Sequence, residues 1–366
     1  MSKFKVIQLL PELNIGGVER GTKDFSKVLV ERGHDSLVIS NGGIFEKDII
    51  EDGGKHINLP IHKKSLFSIR YASDLRDIYL SEKPDIVHVR SRMPAWINYF
   101  AYKKLSHKPL LVSTFHGLYS TPLYSQVMSK VDHIIAISKT VKDYIQSTYK
   151  VPNEKITVIP RGCDPEIFNK NPVEETWIKK WYEEFPQTQD KIILTMPTRI
   201  SKWKGVDSFI DLVNLLEDDN YHALIVGPTA KSKKSYLKQL QNKISNYGIE
   251  DKITITGSRN DISNIYKISD FVFNLSIKPE PFGRTTIEAI SSGSKVIGWN
   301  HGGTKEILEE LYPDGLVELD NIEDLAEKVI NLSNMTNNMP KENIFTSESM
   351  TNQTISLYQD LLAKRL

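Results

Sequence analysis

The sequence predicts an α/β fold of two Rossmann-like domains in series, each with a doubly wound parallel sheet, facing each other across a cleft. A chain of 366 residues is too long for one ordinary hydrophobic core and suits two α/β domains. Short β-branched runs alternate with longer amphipathic runs, which is typical of buried parallel strands separated by helices. This alternation runs once to about residue 162 and starts again at Lys191.

The first series opens with a strand, FKVIQLL, which a Gly-Gly loop and a helix through Glu19–Arg32 follow. That helix carries Phe25, Val28 and Leu29 on one face, as expected for packing on a sheet. The later predicted strands of this domain are SLVIS, DIVHVR, PLLVSTFHG, HIIAIS and ITVIPRG.

The second series opens with KIILTMPTR and continues with HALIVG, ITITG, DFVFNLS and KVIGW. Between the two series lies a stretch rich in proline, asparagine and charge, with a helix-like piece around Trp177–Phe185. We therefore predict a first domain at 1–170, a linker at 171–190 and a second domain at 191–345. Helical spacing of Met350, Ile355, Tyr358 and Leu362 predicts a closing helix at 346–366.

Composition indicates a soluble globular protein of the cytoplasm. Charged residues make up 25% and hydrophobic residues 39%. Cys163 is the only cysteine, so no intramolecular disulfide forms. The N-terminus lacks the features of a secretory signal peptide, and no run approaches the ~18 apolar residues of a membrane-spanning helix. We expect any membrane contact to be peripheral, at the inner face of the cytoplasmic membrane.

Charge is divided unequally between the halves of the chain. Residues 1–170 carry 25 Lys and Arg against 18 Asp and Glu, and residues 171–366 carry 22 against 28, so +7 and −6 give the net charge of +1. A basic first half suits an anionic partner such as a lipid phosphate, although chance asymmetry explains it equally well. No dense basic run or nucleic-acid motif is present, so we expect no nucleic-acid partner.

Glu280 and Glu288 bracket the segment with the strongest functional pattern, EPFGRTTIE, directly after the strand DFVFNLS. A helix is predicted from Gly283 to Ser291, with exposed N–H groups from Phe282 to Thr285. Such a helix start attracts phosphate, because its donors are unpaired and the helix dipole is positive there. Glu280 is placed to accept hydrogen bonds from sugar hydroxyls and Glu288 from a ribose diol. Alternatively, both are ordinary acids near a helix terminus.

Cationic and flexible residues follow other predicted strands, where ligands bind in doubly wound sheets. Arg199 and Lys204 follow IILTMPT and suit the two phosphates of a nucleoside diphosphate. Gly16 and Gly17 follow the first strand and allow close backbone approach to a phosphate or sugar. His116 ends the strand LLVSTF. Taken singly, each also fits a structural role in a loop or turn.

Several motifs together resemble one family. The run FNLSIKPEPFGRTTIEAISSGSKVIGWNHGGTKEIL resembles the hallmark segment of the family 4 retaining glycosyltransferases, which have the GT-B fold. The segments GGVER, STFHG, AISKTVKDYI, VIPRGCDPEIF and TRISKWKG resemble that family in the same order. The resemblance covers nearly the whole chain.

This resemblance implies a role for each matching residue. Glu280 would contact the donor sugar and Glu288 the ribose, while Arg199 and Lys204 would hold the diphosphate. Gly16 and Gly17 would close over that diphosphate, and His116 would lie near the reacting sugar. The phosphates of the donor would also contact the start of the predicted helix, and the nucleotide base would contact the end of the strand ITITG. The residues implied there are Phe282, Gly283, Arg284 and Thr285 for the phosphate and Ser258 and Arg259 for the base.

The resemblance also implies a retaining transfer of sugar from a UDP- or GDP-linked donor. The family generally lacks a carboxylate nucleophile, and no second acid is assigned here opposite Glu280. The Asp-x-Asp motif of metal-using transferases is absent from the sequence, its nearest approach being Asp218-Asp219. We therefore expect no obligatory metal or cofactor, with Arg199, Lys204 and the helix start stabilising the leaving group instead.

The acceptor is predicted from the segment Val89–Trp96, which resembles enzymes of bacterial lipopolysaccharide core and other surface glycans. Arg90 and Arg92 would hold an anionic group and Trp96 would stack on a sugar, or all three belong to a helix start. Five lysines are candidates for an anionic membrane face or for ordinary solvated surface. They are Lys63, Lys64, Lys103, Lys104 and Lys108.

Two other classes of function remain open. A nicotinamide-dependent dehydrogenase would share the paired Rossmann domains, but the G-x-G-x-x-G fingerprint is missing from the first loop. A catalytically idle nucleotide-binding module would not need all of the polar residues assigned above. A nucleotide-sugar epimerase or a phosphorylase is compatible with the fold, though the pyridoxal-bearing lysine of a phosphorylase cannot be assigned.

Overall fold

Two separate parallel β-sheets organise the chain, which confirms the predicted α/β class with two Rossmann-like units. The computed structural model describes residues 3–335 and 337–365, without the side chains of Leu66 and Lys231. The first unit comprises Met1–Pro160 and Glu348–Leu366, and the second comprises Arg161–Ser347.

Seven parallel strands form the sheet of the first unit. They are β1 (Lys5–Leu9), β2 (Asp35–Ser40), β3 (Lys55–Asn58), β4 (Ile86–Val89), β5 (Leu110–Phe115), β6 (His133–Ala136) and β7 (Ile156–Val158). Their order is β3-β2-β1-β4-β5-β6-β7. The order reverses between β1 and β4, and such a switch point leaves a crevice at the carboxyl ends of the strands.

Helices cover this sheet because their apolar stripes match its buried strands. They are α1 (Gly17–Glu31), α2 (Glu46–Glu51), α3 (Tyr71–Glu82), α4 (Arg92–Tyr102), α5 (Pro122–Ser125) and α6 (Lys139–Tyr149). Short 3₁₀ helices occupy Leu66–Arg70, Gln126–Ser129 and Asn153–Lys155. Phe25 and Leu29 of α1 are buried in one core with Val6 and Ile86 of the sheet.

Six parallel strands form the sheet of the second unit. They are β8 (Ile192–Pro197), β9 (Tyr221–Val226), β10 (Ile253–Gly257), β11 (Phe271–Asn274), β12 (Lys295–Trp299) and β13 (Leu316–Val317). The order is β10-β9-β8-β11-β12-β13, so the switch point lies between β8 and β11.

The helices of the second unit include one in the stretch predicted as a linker. They are α7 (Glu175–Glu184), α8 (Val206–Leu215), α9 (Lys234–Tyr247), α10 (Ile262–Lys267), α11 (Arg284–Ser291), α12 (Gly302–Leu311) and α13 (Ile322–Ser333). The 3₁₀ helices here are Pro186–Thr188, Lys202–Lys204, Lys231–Lys233 and Pro313–Gly315.

The predicted domain boundary at 170 and the linker at 171–190 are wrong. The units divide at Pro160–Arg161, and α7 belongs to the second unit. Trp181 of α7 is buried in a core with Ile193 and Leu224. The polar residues of this stretch lie on the outer face of α7. Because they outnumber the apolar residues at helical spacing, the composition of the stretch resembled that of a linker.

The final helix, α14 (Ser347–Ala363), returns to the first unit. It confirms the predicted closing helix over those residues, while Leu366 lies outside the described residues. The Tyr358 hydroxyl lies 2.6 Å from His88 Nδ1, and His88 Nε2 lies 2.7 Å from Thr114 Oγ1, so both ring nitrogens have a buried hydrogen-bond partner. Burial, with the nearby charge of Arg90, lowers the pKa of His88 well below its usual range.

Eleven predicted strands coincide with strands of the structure, but β3 and β13 were missed. β3 reads KHIN, in which polar residues flank a single apolar one, and β13 has two residues. Both lie at sheet edges, where one face need not be apolar. Among the described residues, no helix is long and apolar enough to span a bilayer.

Tyr358→Phe is expected to lower the free energy of unfolding by about 1–3 kcal/mol, because His88 Nδ1 loses its buried hydrogen-bond partner. Thermal unfolding and amide exchange along α14 measure the effect. Tyr182→Phe is the matched control, since no hydrogen bond of its hydroxyl occurs in the described part of the chain. Equal losses in the two variants would contradict a stabilising role for the Tyr358–His88 bond.

His222 is expected to make the protein less stable as the pH falls from about 7 to 4. Burial, then the charge of Lys191, lowers its pKa to about 4, and Nε2 lies 2.8 Å from Thr254 Oγ1. As the pH falls, His222 therefore takes up its proton near pH 6.5 in the unfolded chain and only near pH 4 in the folded chain. Once His222 is protonated in both states, the folded state has lost roughly 3 kcal/mol of stability. Unfolding midpoints across this pH range test the effect, and His222→Gln should flatten the slope. An unchanged slope in this variant would assign the acid sensitivity to other groups.

Candidate functional site

The carboxyl ends of β8 and β11 bring together two loops that are far apart in the sequence. Gly205 has φ of +77°, and a Cβ there would lie 1.8 Å from the Leu275 carbonyl oxygen. The Ile277 N–H donates to the Trp203 carbonyl at 2.9 Å. Only glycine permits this approach at 205, so the loop after β8 lies directly against the loop after β11.

Lys204 and Glu280 form an ion pair at this junction. Lys204 Nζ donates to Glu280 Oε1, and the Ser276 hydroxyl donates to the same oxygen at 2.6 Å. The Lys204 and Glu280 side chains are 18% and 12% exposed, so this charge pair is mostly buried. The structure thus unites two residues that the sequence predicted separately.

Arg199 follows β8 in the same loop, and its side chain is exposed. Gly227 holds the start of this loop, because a Cβ there would lie 2.0 Å from the Thr198 carbonyl oxygen. The Thr198 N–H donates to the Val226 carbonyl, and the Gly227 N–H donates to the Gly257 carbonyl, each at 2.8 Å. Arg199 is therefore an exposed cation on a well-anchored backbone.

Helix α11 begins at Arg284, after Gly283 in the left-handed conformation with φ of +100°. Thr285 is in its first turn, and Phe282 before it is 5% exposed and packs edge-on against Phe345. The predicted helix therefore exists with its start one residue later. Its first N–H groups supply the positive end of the helix dipole.

Glu288 is 7% exposed, and its Oε1 accepts from Arg284 Nη2 at 2.8 Å. Burial and the Glu288 carboxylate raise the pKa of the neighbouring Tyr266 hydroxyl. Glu288 thus lies buried one turn inside α11, where it is paired with Arg284.

Besides Ser276, three residues that were not predicted from the sequence support Glu280 and its loop. The His301 Nε2 group lies 2.7 Å from the Ser276 carbonyl, and the Gly303 N–H donates to the Glu280 carbonyl at 2.8 Å. Gly302, with φ of +61°, lies so close that a Cβ would be 2.8 Å from the Glu280 nitrogen. The glycine pair after the strand KVIGW was the available signal for this contact.

The Arg259 guanidinium is engaged by two acidic side chains, and the assignment of Ser258 and Arg259 to the nucleotide base stays a prediction. Arg259 bonds Glu184 with Nη1 at 3.0 Å and Asp261 with Nη2 at 2.8 Å, over the ring of Trp181. These pairs raise the pKa of Arg259, and they join α7 to the loop after β10. Ser258, next to it, is exposed.

Arg90 is also placed differently from the prediction. It is 7% exposed beside the Phe25 ring, at 5.5 Å from the ring centre, and burial lowers its pKa to about 10. Its Nε has no hydrogen-bond partner in the part of the chain that the structure describes. Because α1 covers it, Arg90 is a buried cation and not an open acceptor contact.

Arg92 and Trp96 both hold the segment that contains α5. Arg92 Nη1 donates to Thr121 Oγ1 at 3.1 Å and lies 4.7 Å from the Tyr119 ring centre. Trp96 Nε1 donates to the Tyr124 carbonyl at 2.9 Å. Their polar groups are thus engaged within the first unit.

The remaining predicted residues of the first unit lie at strand ends. Gly16 and Gly17 begin α1 after β1, and half-buried His116 follows β5 directly, with its N–H donating to the Tyr119 hydroxyl at 3.4 Å. Among the described residues, no cluster of three histidine, cysteine or acidic side chains fits a metal ion.

Two family models match the chain in succession. "Glycosyltransferase Family 4" matches residues 15–167, and "Glycosyl transferases group 1" matches residues 178–347.

Individual relatives match along nearly the whole length. The crystal structure of a glycosyltransferase from Rickettsia africae ESF-5 is 30% identical, with a TM-score of 0.85 over 99% of both chains. N-acetyl-alpha-D-glucosaminyl L-malate synthase from Bacillus anthracis is 24% identical over 95% of each chain. Anabaena HepE, solved in complex with UDP and glucose, has 20% identity and a TM-score of 0.77 over 98% of this chain and 100% of that one.

Gly227→Ala is expected to move the loop that carries Arg199 and to cost about 1–3 kcal/mol of stability, because the new Cβ meets a backbone oxygen. Gly248→Ala is the matched control, since it also has positive φ but nothing within 4 Å of the added Cβ. Chemical unfolding of both variants separates collision from backbone strain. A Gly227→Ala loss no larger than that of Gly248→Ala would contradict the anchoring role.

Proposed function

The chain belongs to the family 4 glycosyltransferases, and from that premise we propose a retaining transfer of a sugar from a UDP- or GDP-linked donor. We propose as acceptor a glycan or lipid-linked glycan of lipopolysaccharide or another surface polysaccharide, met at the inner face of the cytoplasmic membrane. The observation that carries the donor proposal is the Lys204–Glu280 pair at the switch point between β8 and β11.

The pair combines the two functions that a nucleotide-sugar needs at its reacting end. Lys204 is a compact cation for a diphosphate oxygen, and the exposed Arg199 on the same loop adds a planar guanidinium with five N–H donors. Glu280 is an acceptor for sugar hydroxyls, held in place by Ser276. Diphosphate and sugar are adjacent in the donor, and so are their proposed partners.

Transfer breaks the bond between the anomeric carbon and the diphosphate oxygen and forms a bond from that carbon to the acceptor oxygen. The acceptor hydroxyl gives its proton to the leaving diphosphate as attack occurs on the same face. Negative charge grows on the diphosphate, and Arg199, Lys204 and the N–H groups of Arg284 and Thr285 stabilise it. We propose that this replaces an obligatory metal ion.

Other roles in this proposal rest on the family resemblance. Glu288 is proposed for the ribose, and the backbone at Ser258 and Arg259 for the base. Gly16, Gly17 and His116 of the first unit are proposed to contact the diphosphate and the reacting sugar. Arg92 and Trp96 remain acceptor candidates, in addition to their contacts with the α5 segment.

Arg199→Ala and Lys204→Ala are each expected to lower kcat/KM. The corresponding loss of transition-state stabilisation is about 2–4 kcal/mol for each variant. Thermal unfolding with UDP, GDP, ADP and NAD, with and without magnesium, tests binding first. A ligand at ~100 times its Kd should stabilise by about 2.7 kcal/mol. We expect one sugar-carrier diphosphate to act without magnesium, and the shift to shrink in both variants.

Lys202→Ala is the matched control, because Lys202 is an exposed lysine of the same loop near the Tyr236 ring. Stabilisation by NAD alone would favour a dehydrogenase. Stabilisation by a diphosphate without turnover of any donor would favour an idle binding module, and full activity in both alanine variants would remove Arg199 and Lys204 from the diphosphate site.

A further inference from the structure

Two stretches of the first unit contain basic residues but no acidic ones. Between Asp85 and Asp132 the chain has six Lys and Arg and no Asp or Glu. Between Asp52 and Asp74 it has four Lys and Arg and again no acid. In a chain with 47 basic and 46 acidic residues, such segregation concentrates positive charge wherever the two stretches meet.

The fold brings the two stretches together around α4. This helix packs against the 3₁₀ helix Leu66–Arg70 of one stretch and against Gln126–Ser129 of the other. Lys63 and Lys64, both exposed, lie just before the first of these 3₁₀ helices, and Lys130 follows the second. Basic residues thus adjoin both segments, while α3, which also packs on α4, carries Asp74, Asp77 and Glu82.

Aromatic and aliphatic side chains form the outer side of α4 together with lysines. Phe100 is 37% exposed and stacks on Trp96, whose Nε1 donates to the carbonyl of Tyr124. Leu123, the neighbour of Tyr124, is 87% exposed. We name this surface the α4 face, and its members are Trp96, Tyr99, Phe100, Lys103, Lys104, Leu123 and Lys130.

Two lysines of the α4 face converge on one ring. Lys103 Nζ lies 4.6 Å and Lys130 Nζ 5.1 Å from the centre of the Tyr99 ring. A hydrogen bond from Lys103, together with the charges of both lysines, holds the pKa of Tyr99 below its usual range. Like charges thus accumulate at this position.

Among the described residues, these lysines form no ion pair. Within the part of the chain that the structure describes, Lys103, Lys104 and Lys130 have no acidic group within 4 Å, whereas Lys243 and Lys252 each lie 2.8 Å from an aspartate. Asp132, which ends the acid-free stretch, is paired with Arg365 at 2.9 Å. The α4 face is therefore a basic surface that lacks its counter-charge.

We propose that the α4 face docks the chain on an anionic lipid bilayer, with lipid phosphates on Lys103, Lys104 and Lys130 and with Phe100 and Leu123 in the headgroup layer. Lysine ammonium groups are attracted to anionic headgroups, and aromatic rings favour the interface between water and hydrocarbon. The inference rests on the proposed function for its purpose, since a lipid-linked acceptor is met at that surface. Docking itself needs neither donor nor turnover.

Co-sedimentation of the full chain with lipid vesicles tests the proposal. We expect binding to vesicles of phosphatidylcholine with ~30% phosphatidylglycerol in 0.1 M salt, little binding to phosphatidylcholine alone, and weaker binding as salt is raised. Lys103→Gln with Lys130→Gln should weaken it by about 30-fold, at roughly fivefold for each lysine. Phe100→Ser should weaken it further.

Lys179→Gln with Lys180→Gln is the matched control, because it removes two exposed charges from α7 in the second unit. Failure of the unaltered chain to bind anionic vesicles, or equal binding by both double variants, would overturn the proposal. Binding to polyglutamate but not to vesicles would overturn the proposal and would indicate an acidic protein as the partner of the α4 face. Nucleotide stabilisation, measured in parallel, should be the same in both double variants. Its absence from the unaltered chain would contradict the transferase proposal alone.

Discussion

The approach of two backbone segments, Lys204-Gly205 and Leu275-Ser276, is the constraint on which the candidate donor site depends. They follow β8 and β11, which are neighbours in the sheet but are separated by two strands and three helices along the chain. A parallel sheet aligns their carboxyl ends, and Gly205 removes the side chain that would separate the loops. Lys204 then meets Glu280 without any local sequence motif that joins them.

Glycines elsewhere in the second unit extend the same principle. Gly227 allows the loops after β8 and β9 to touch, and Gly302 and Gly303 bring the start of α12 against the backbone of Glu280 and Phe282. Each contact replaces side-chain volume with backbone hydrogen bonds. The loops that carry Arg199 and Glu280 are held by this backbone network.

Arginines that follow strands are exposed at one position and buried or paired at two others. Arg259 and Arg90 both follow strands, as Arg199 does. However, Arg259 forms ion pairs with Glu184 and Asp261, and Arg90 is covered by α1. Apart from Asp261, the partners that make the difference come from elements remote in sequence. Helix α7 supplies Glu184 and the Trp181 ring to Arg259, while Phe25 lies over Arg90.

The sequence by itself determined the α/β class, eleven of the strands, the final helix and the list of polar residues at strand ends. Hydrophobic periodicity suffices for these because it depends on near neighbours along the chain. It did not reveal the boundary at Pro160, the return of α14 to the first unit, or the edge strands β3 and β13. Only the tertiary structure decided which arginine is exposed, which is buried and which is paired. A side chain's partners there come from distant segments, and no spacing rule within one segment contains that information.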